Sequence, residues 1–200
     1  PGKPPKLLER DPGWDIYNAE AEYERQGTLR LRPNGSRSPW RTTAINDRHR
    51  VSASYPRVLV VPAETSDGDL EAAAQFRSEG RLPVLTWGNG TDAASVWRSS
   101  QPRVGPLGAA SLEDQALLEA VADPTMQVCP SSHLYIADCR SHTNGLANRA
   151  AGYGFEYGAN YCRTKLHFLG IGNIHTMREA QGKLDQLVRC HGHTQVRDVS

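Results

Sequence analysis

The sequence predicts an α/β fold built on a largely parallel central sheet with helices around it. Three observations carry that expectation. From Val51 onward, short apolar runs alternate with stretches of helical periodicity, the pattern of strand–helix–strand units. The apolar runs are strand-length and bounded by Gly, Pro, Asn or Asp. No internal repeat appears at any period, so a solenoid or a propeller is excluded.

The elements follow in order. Residues 1–12, with prolines at positions 1, 4 and 5, read as a flexible lead-in, and residues 13–200 as the folded portion. After Gly13, the charged stretch WDIYNAEAEYERQG predicts a helix ending near Gly27. Arg32–Pro39 is rich in turn formers and predicts a loop. Arg57–Pro62 (RVLVVP) predicts a buried strand. Asp67 is placed as the cap of a helix running through Phe76, with Leu70, Ala73 and Ala74 on its apolar face. Leu82–Trp87 predicts a strand with Pro83 at its beginning or on an edge, and Ser95–Ser99 a further short one. Ser111-Leu112-Glu113-Asp114 has the capping-box form, and Leu117, Leu118 and Val121 follow at helical spacing. His133–Ala137 predicts a strand ending at Asp138, Asn144–Gly152 a helix, and Lys165–Ile171 another strand. The last helix runs from about His175 to Cys190, its stripe formed by Met177, Ala180, Leu184, Leu187 and Val188.

Composition narrows the function. With 23 Lys+Arg against 22 Asp+Glu, the net charge of +1 argues against a dedicated nucleic-acid binder. Apolar residues at 38% and charged residues at 22% are those of a globular domain rather than a disordered one. Apolar stretches reach about five to seven residues, far from the roughly 20 that span a bilayer. No apolar leader core stands near the start, and an opening Pro1 rather than Met leads us to expect a piece of a longer protein. The four cysteines, Cys129, Cys139, Cys162 and Cys190, form no CxxC pair. That excludes a zinc ribbon and leads us to expect a reducing intracellular compartment.

Several candidate chemistries fall away. A cysteine phosphatase needs five residues between its thiolate and an arginine, on a loop whose amides cradle phosphate. Cys190 and Arg197 are separated by six residues, and Cys190 ends a helix, where the dipole opposes a thiolate. Cys190, His191 and His193 offer metal ligands but lack a fourth at suitable spacing. Gly152, Gly154 and Gly158 miss the GxGxxG spacing by one residue and follow a helix, so they predict a turn rather than a dinucleotide loop. Asn148 follows the strand ending at Asp138, and Asn173 closes the Lys165–Ile171 strand just before a helix. Ligands of open α/β sheets gather beyond strand carboxyl ends, beside helix N-termini. Amides there bind hydroxyls or phosphates, although composition alone favours reading Asn144, Asn148 and Asn173 as residues that cap helices and fix turns.

The run of segments resembles the myotubularin family of phosphoinositide 3-phosphatases. Its blocks here are Trp14 with Tyr17, Glu22 and Arg25-Gln26-Gly27, then Trp40-Arg41, Asn46 and Ser54-Tyr55-Pro56. Phe76-Arg77-Ser78, Arg81-Leu82-Pro83-Val84 and Trp87 follow, and then the family-specific Arg98-Ser99-Ser100-Gln101-Pro102 with Gly105. Tyr135-Ile136-Ala137-Asp138 with Arg140, Asn144 with Asn148, and Gly152-x-Gly154-x-Glu156 come next. Asn173-Ile174-His175, Met177-Arg178 and Lys183-Leu184 complete the order. Gly145, Ser141 and Ala53 depart from the family's usual Ala, Pro and Cys.

The resemblance implies a cysteine-phosphatase-like, mostly parallel sheet, incomplete at the C-terminus. It implies removal of the 3-phosphate from phosphatidylinositol 3-phosphate and the 3,5-bisphosphate through a cysteinyl-phosphate intermediate, without a cofactor or metal. It assigns Asn148, Asn173 and Ile174 to the wall of the inositol headgroup pocket, and no catalytic residue to this chain. The family's catalytic loop, Cys-Ser-Asp-Gly-Trp-Asp-Arg-Thr, is absent from the sequence. We read the Arg98–Pro102 block as structural, holding the sheet edge. The resemblance further implies a cytoplasmic protein peripheral to endosomal membranes, docked through regions outside this chain and able to pair with itself or other myotubularins. Two other readings stand beside it: a catalytically dead homologue acting as an adaptor for an active phosphatase, and a generic nucleotide-binding α/β domain.

Overall fold

The computed structural model describes residues 18–31, 35–90 and 94–192. The lead-in, Trp14, Tyr17, His193 and Arg197 lie outside them. Five helices and six strands alternate along the described residues, as α/β patterning requires.

Helix α1 (Ala19–Arg25) starts at Asn18, whose side chain accepts from the Ala21 amide at 3.0 Å. It stops at Gly27, which takes φ +76°, a conformation glycine adopts at little cost. Strands β1 (Trp40–Thr43) and β2 (Leu59–Pro62) pair antiparallel. Helix α2 (Asp67–Gln75) is capped by Ser66, not by Asp67 as the sequence suggested; Ser66 Oγ accepts from the Asp69 amide at 3.2 Å. Ser66 has the extended backbone of a cap, φ −71° and ψ 156°, and Asp67 instead bonds Arg41 and Thr43. Strands β3 (Val84–Gly88) and β4 (Ser95–Arg98) form a second antiparallel pair. Helix α3 (Leu112–Val128), strand β5 (Leu134–Asp138), helix α4 (His142–Ala150), strand β6 (Thr164–Phe168) and helix α5 (Ile174–Gly192) complete the order.

The expected mostly parallel sheet is therefore corrected in its pairing. Only β5 and β6 run parallel, joined by a crossover through α4, whereas β1–β2 and β3–β4 are antiparallel. Periodicity in sequence reveals a strand but not the direction of its partner, which depends on the connection.

Alternation along β2 explains where the core sits. Successive strand side chains point to opposite faces. Leu59 and Val61 enter one cluster with Ile45, Leu70, Ala73, Leu82, Val84 and Leu117. Val60 enters another with Ala19, Tyr23, Trp40 and Leu85. So β2 is buried on both faces, with α2 and α3 on one side and α1 on the other. Trp40 and Trp97 meet edge-on at 4.9 Å, closing the second cluster. Beside the first, the buried Asn46 side chain bonds five backbone groups of residues 51–56.

Helix α5 differs from its sequence-based expectation. Its stripe reads as a core face, yet Met177, Leu184 and Val188 are each more than half exposed. Strands β5 and β6 share the pattern, with Tyr135, Ala137, Lys165 and His167 open on one face. A parallel sheet is normally covered on both faces.

Candidate functional site

The pairing of β5 with β6 organises the site. Their parallel register, Leu134 opposite Thr164 through Asp138 opposite Phe168, brings both carboxyl ends to one edge. The pairing continues into the loops. The amides of Leu169, Gly170 and Ile171 donate to the carbonyls of Asp138, Arg140 and Cys139 at 2.8, 3.2 and 2.8 Å. Helices α4 and α5 both begin beyond this edge.

Each predicted residue has a defined place. Asn173 caps α5: its Oδ1 accepts from the amides of His175 at 2.9 Å and Thr176 at 3.1 Å. That leaves its Nδ2 group facing solvent as a donor. Ile174 is the first residue of α5 and is 61% exposed. Asn148 lies near the C-terminal end of α4, where its Nδ2 donates to the Asn144 carbonyl at 2.8 Å. Its Oδ1 remains available as an acceptor. Asn173 and Ile174 are thus brought together, while Asn148 stands on the neighbouring helix and makes no direct bond to either. Both Asn positions also serve the local roles that sequence reasoning left open, a helix cap and a helix-end bond.

Helix α4 is fixed at both ends. Ser141 Oγ accepts from the Asn144 amide at 3.2 Å. At the other end Gly152, at φ +91°, receives the chain in a Schellman turn. There the Tyr153 amide bonds the Asn148 carbonyl at 3.0 Å, and the Gly152 amide bonds Arg149 at 3.1 Å. The glycine-rich segment is a helix stop, as the spacing predicted. Gly145 packs against Phe155 and Phe168, and a Cβ there would approach both to 3.1 Å.

Two charged centres escaped the sequence reading. Arg77 is fully buried and bonds Asp114 through two oxygens, both at 2.7 Å, Glu156 at 2.5 Å and the Ser100 carbonyl at 2.9 Å. Tyr161 donates to Asp114 at 2.7 Å. Burial works against the Arg77 charge, but the carboxylates of Glu156 and Asp114 overcome it and hold the guanidinium above its ordinary pKa. Burial, then the Asp114 charge, push the Tyr161 phenol up. In the sequence, Arg77 and Glu156 stand out only as members of family blocks and Asp114 only as part of a capping box. The second centre is Arg140. It bonds Asp138 at 2.6 Å, the Gly154 carbonyl at 2.9 Å and Gln101. Burial disfavours the Asp138 charge, and the Arg140 bonds outweigh that, keeping its carboxyl below the usual range.

The Arg98–Pro102 block keeps its structural reading. Ser100 and Gln101 bond the backbone of Ser78 and Arg81, and Pro102 bridges Arg77. A cleft of about 330 Å³ lies between this block and the end of β5, lined by Arg81, Gln101, Asp138 and Arg140 among others. Neither Asn148 nor Asn173 lines it. The larger groove, about 760 Å³, lies by Arg50, Glu71 and Arg103, away from both. The four cysteines are exposed and free of disulfides. Among the described residues no group of three His, Cys, Asp or Glu is placed to hold a metal, and His193 lies outside them. No helix among them is long and apolar enough to cross a membrane.

Comparison with known proteins identifies the family. The myotubularin-like phosphatase domain matches residues 3–199. The chain is 43% identical to phosphatidylinositol-3,5-bisphosphate 3-phosphatase MTMR2 of Bos taurus over 176 residues, 88% of this chain and 26% of that protein. It is 44% identical to the MTMR2 of Mus musculus over the same shares. With the myotubularin of Xenopus tropicalis the identity is 40%, covering 88% of this chain and 28% of that one. The chain thus spans little more than a quarter of the length of these relatives. The chain belongs to the family of myotubularin-like phosphatase domains.

Proposed function

We propose that these residues are the N-terminal part of a phosphatase domain that removes the 3-phosphate from phosphatidylinositol 3-phosphate and phosphatidylinositol 3,5-bisphosphate. The relatives' names describe the second substrate's chemistry. The observation that carries the reading is the shared edge of β5 and β6. There Asn173 presents an amide donor at a helix N-terminus, which favours anions, while Asn148 presents its acceptor from the C-terminal end of α4. A donor and an acceptor of this kind suit a ring of hydroxyls and phosphates.

The reactive group belongs to sequence outside this chain. No cysteine here has an arginine six positions later. In the complete protein a depressed-pKa thiolate attacks phosphorus, and the loop arginine and amides hold the equatorial oxygens. An aspartate handles proton transfer. The role of the present residues is to orient the headgroup. The phosphatase fold implied by the family is completed by the same outside sequence, which covers the open faces of β5, β6 and α5. The protein works in the cytoplasm at endosomal membranes, docks there through other regions and can pair with other myotubularins.

The test is phosphate release by the complete protein from soluble short-chain forms of both lipids, with the 4-phosphate lipid as control. We expect release from both 3-phosphorylated lipids, none from the control and none by residues 1–200 alone. Asn148→Ala and Asn173→Ala are expected to raise KM. A complete protein that binds the lipids without releasing phosphate is the adaptor instead.

A further inference from the structure

We propose that Arg140 is the positioning residue of the headgroup site, one guanidinium setting both segments that carry Asn148 and Asn173. The inference rests on the assignment of those two residues to headgroup binding.

Every nitrogen of the Arg140 fork bonds the protein. Nε bonds the two Asp138 oxygens at 3.0 and 3.2 Å, Nη2 bonds Asp138 at 2.6 Å and the Gly154 carbonyl at 2.9 Å, and Nη1 bonds Gln101. Such a residue serves to hold other protein groups in place. Its first arm closes the turn at the end of β5, where Asp138 Oδ1 also accepts from the Arg140 amide at 2.9 Å. The carbonyls of that turn, at positions 138–140, accept from the amides of residues 169–171, which makes them the template for the loop before Asn173. Its second arm grips Gly154, just past the turn that ends α4 and is bonded to the Asn148 carbonyl. Its third arm reaches Gln101, itself pinned to residue 78 through the backbone. Three segments distant in sequence therefore meet at one planar cation. A lysine, being a point charge without a fork, cannot hold all three.

The test is calorimetric titration of inositol 1,3-bisphosphate into the complete protein with its catalytic-loop cysteine replaced by serine, so that the ligand is not consumed. Arg140→Ala and Arg140→Lys are expected to weaken binding about tenfold or more, the effect typical of removing a group that orients a ligand contact. Gln101→Ala is expected to weaken it less. Because the clamp acts through Asn148 and Asn173, adding Arg140→Lys to the Asn148→Ala/Asn173→Ala protein should weaken binding no further, a coupling that general destabilisation does not produce. Losses that multiply, or unchanged affinity in both Arg140→Lys and Gln101→Ala, overturn the proposal while Asn173→Ala still weakens binding. An Asn173→Ala protein that binds like wild type overturns the headgroup assignment itself, and the clamp with it.

Discussion

Replacing Arg77 by methionine tests the buried charge network. Methionine keeps much of the volume but deletes four hydrogen bonds, three of them to carboxylates. It leaves Asp114, fully buried, and Glu156, 8% exposed, as two negative charges without their cation. Breaking a buried ion pair by removing one partner typically costs about 3–5 kcal/mol. In a domain of this size each kcal/mol lowers the melting temperature by about 2–4 °C, so a fall of about 6–20 °C is expected. The assay is thermal melting of the complete protein by circular dichroism at neutral pH. Replacing Arg77, Asp114 and Glu156 together by apolar residues should cost less than Arg77→Met alone, because no charge is then stranded. A drop below about 2 °C at neutral pH would refute the reasoning, since even 1 kcal/mol would exceed it.

Two further outcomes follow from local geometry. Gly80→Ala should destabilise by more than the roughly 1–2 kcal/mol of a left-handed alanine, because φ is +65° and the new Cβ would lie 2.1 Å from the Val51 carbonyl oxygen. Gly68→Ala, inside α2 with its Cβ 3.8 Å from the nearest atom, should instead stabilise by about 0.5–1 kcal/mol; melting of the two variants side by side checks the opposite signs. The folded-state pKa of Asp138 lies below its unfolded value, so its stabilisation is present above about pH 4 and is lost as pH falls through the folded value. The melting gap between wild type and Asp138→Asn should therefore close on acidification from pH 6 to pH 2, and a gap that widens contradicts the Arg140 pairing.

How much of this was legible in the sequence varies with the range of the interaction. Strand β2, helix α4 and strand β5 lie within a few residues of where apolar runs and turn formers put them, because those signals are local. Ser66 displaced Asp67 as a cap because two adjacent residues were both able to cap, and only the backbone decides between them. The antiparallel pairs were not legible, since pairing direction is set by non-local packing. Asn173 was legible as a residue between a strand end and a helix start, whereas Asn148 stands in the last turn of α4, a position the strand-end reasoning did not give. Arg77 meets Glu156 across 79 positions and Arg140 meets Gln101 across 39, separations at which no periodicity leaves a trace.

The double-sided burial of β2 has a consequence for how the lobe opens. Its middle residue belongs to one cluster and its neighbours to the other, so peeling away either layer strips support from the strand both layers share. Subglobal opening that releases only α1 or only α2 is thereby disfavoured. Amide protons of Val60, Val61 and Leu85 are expected to exchange with solvent deuterium at one common rate, as a single foldon.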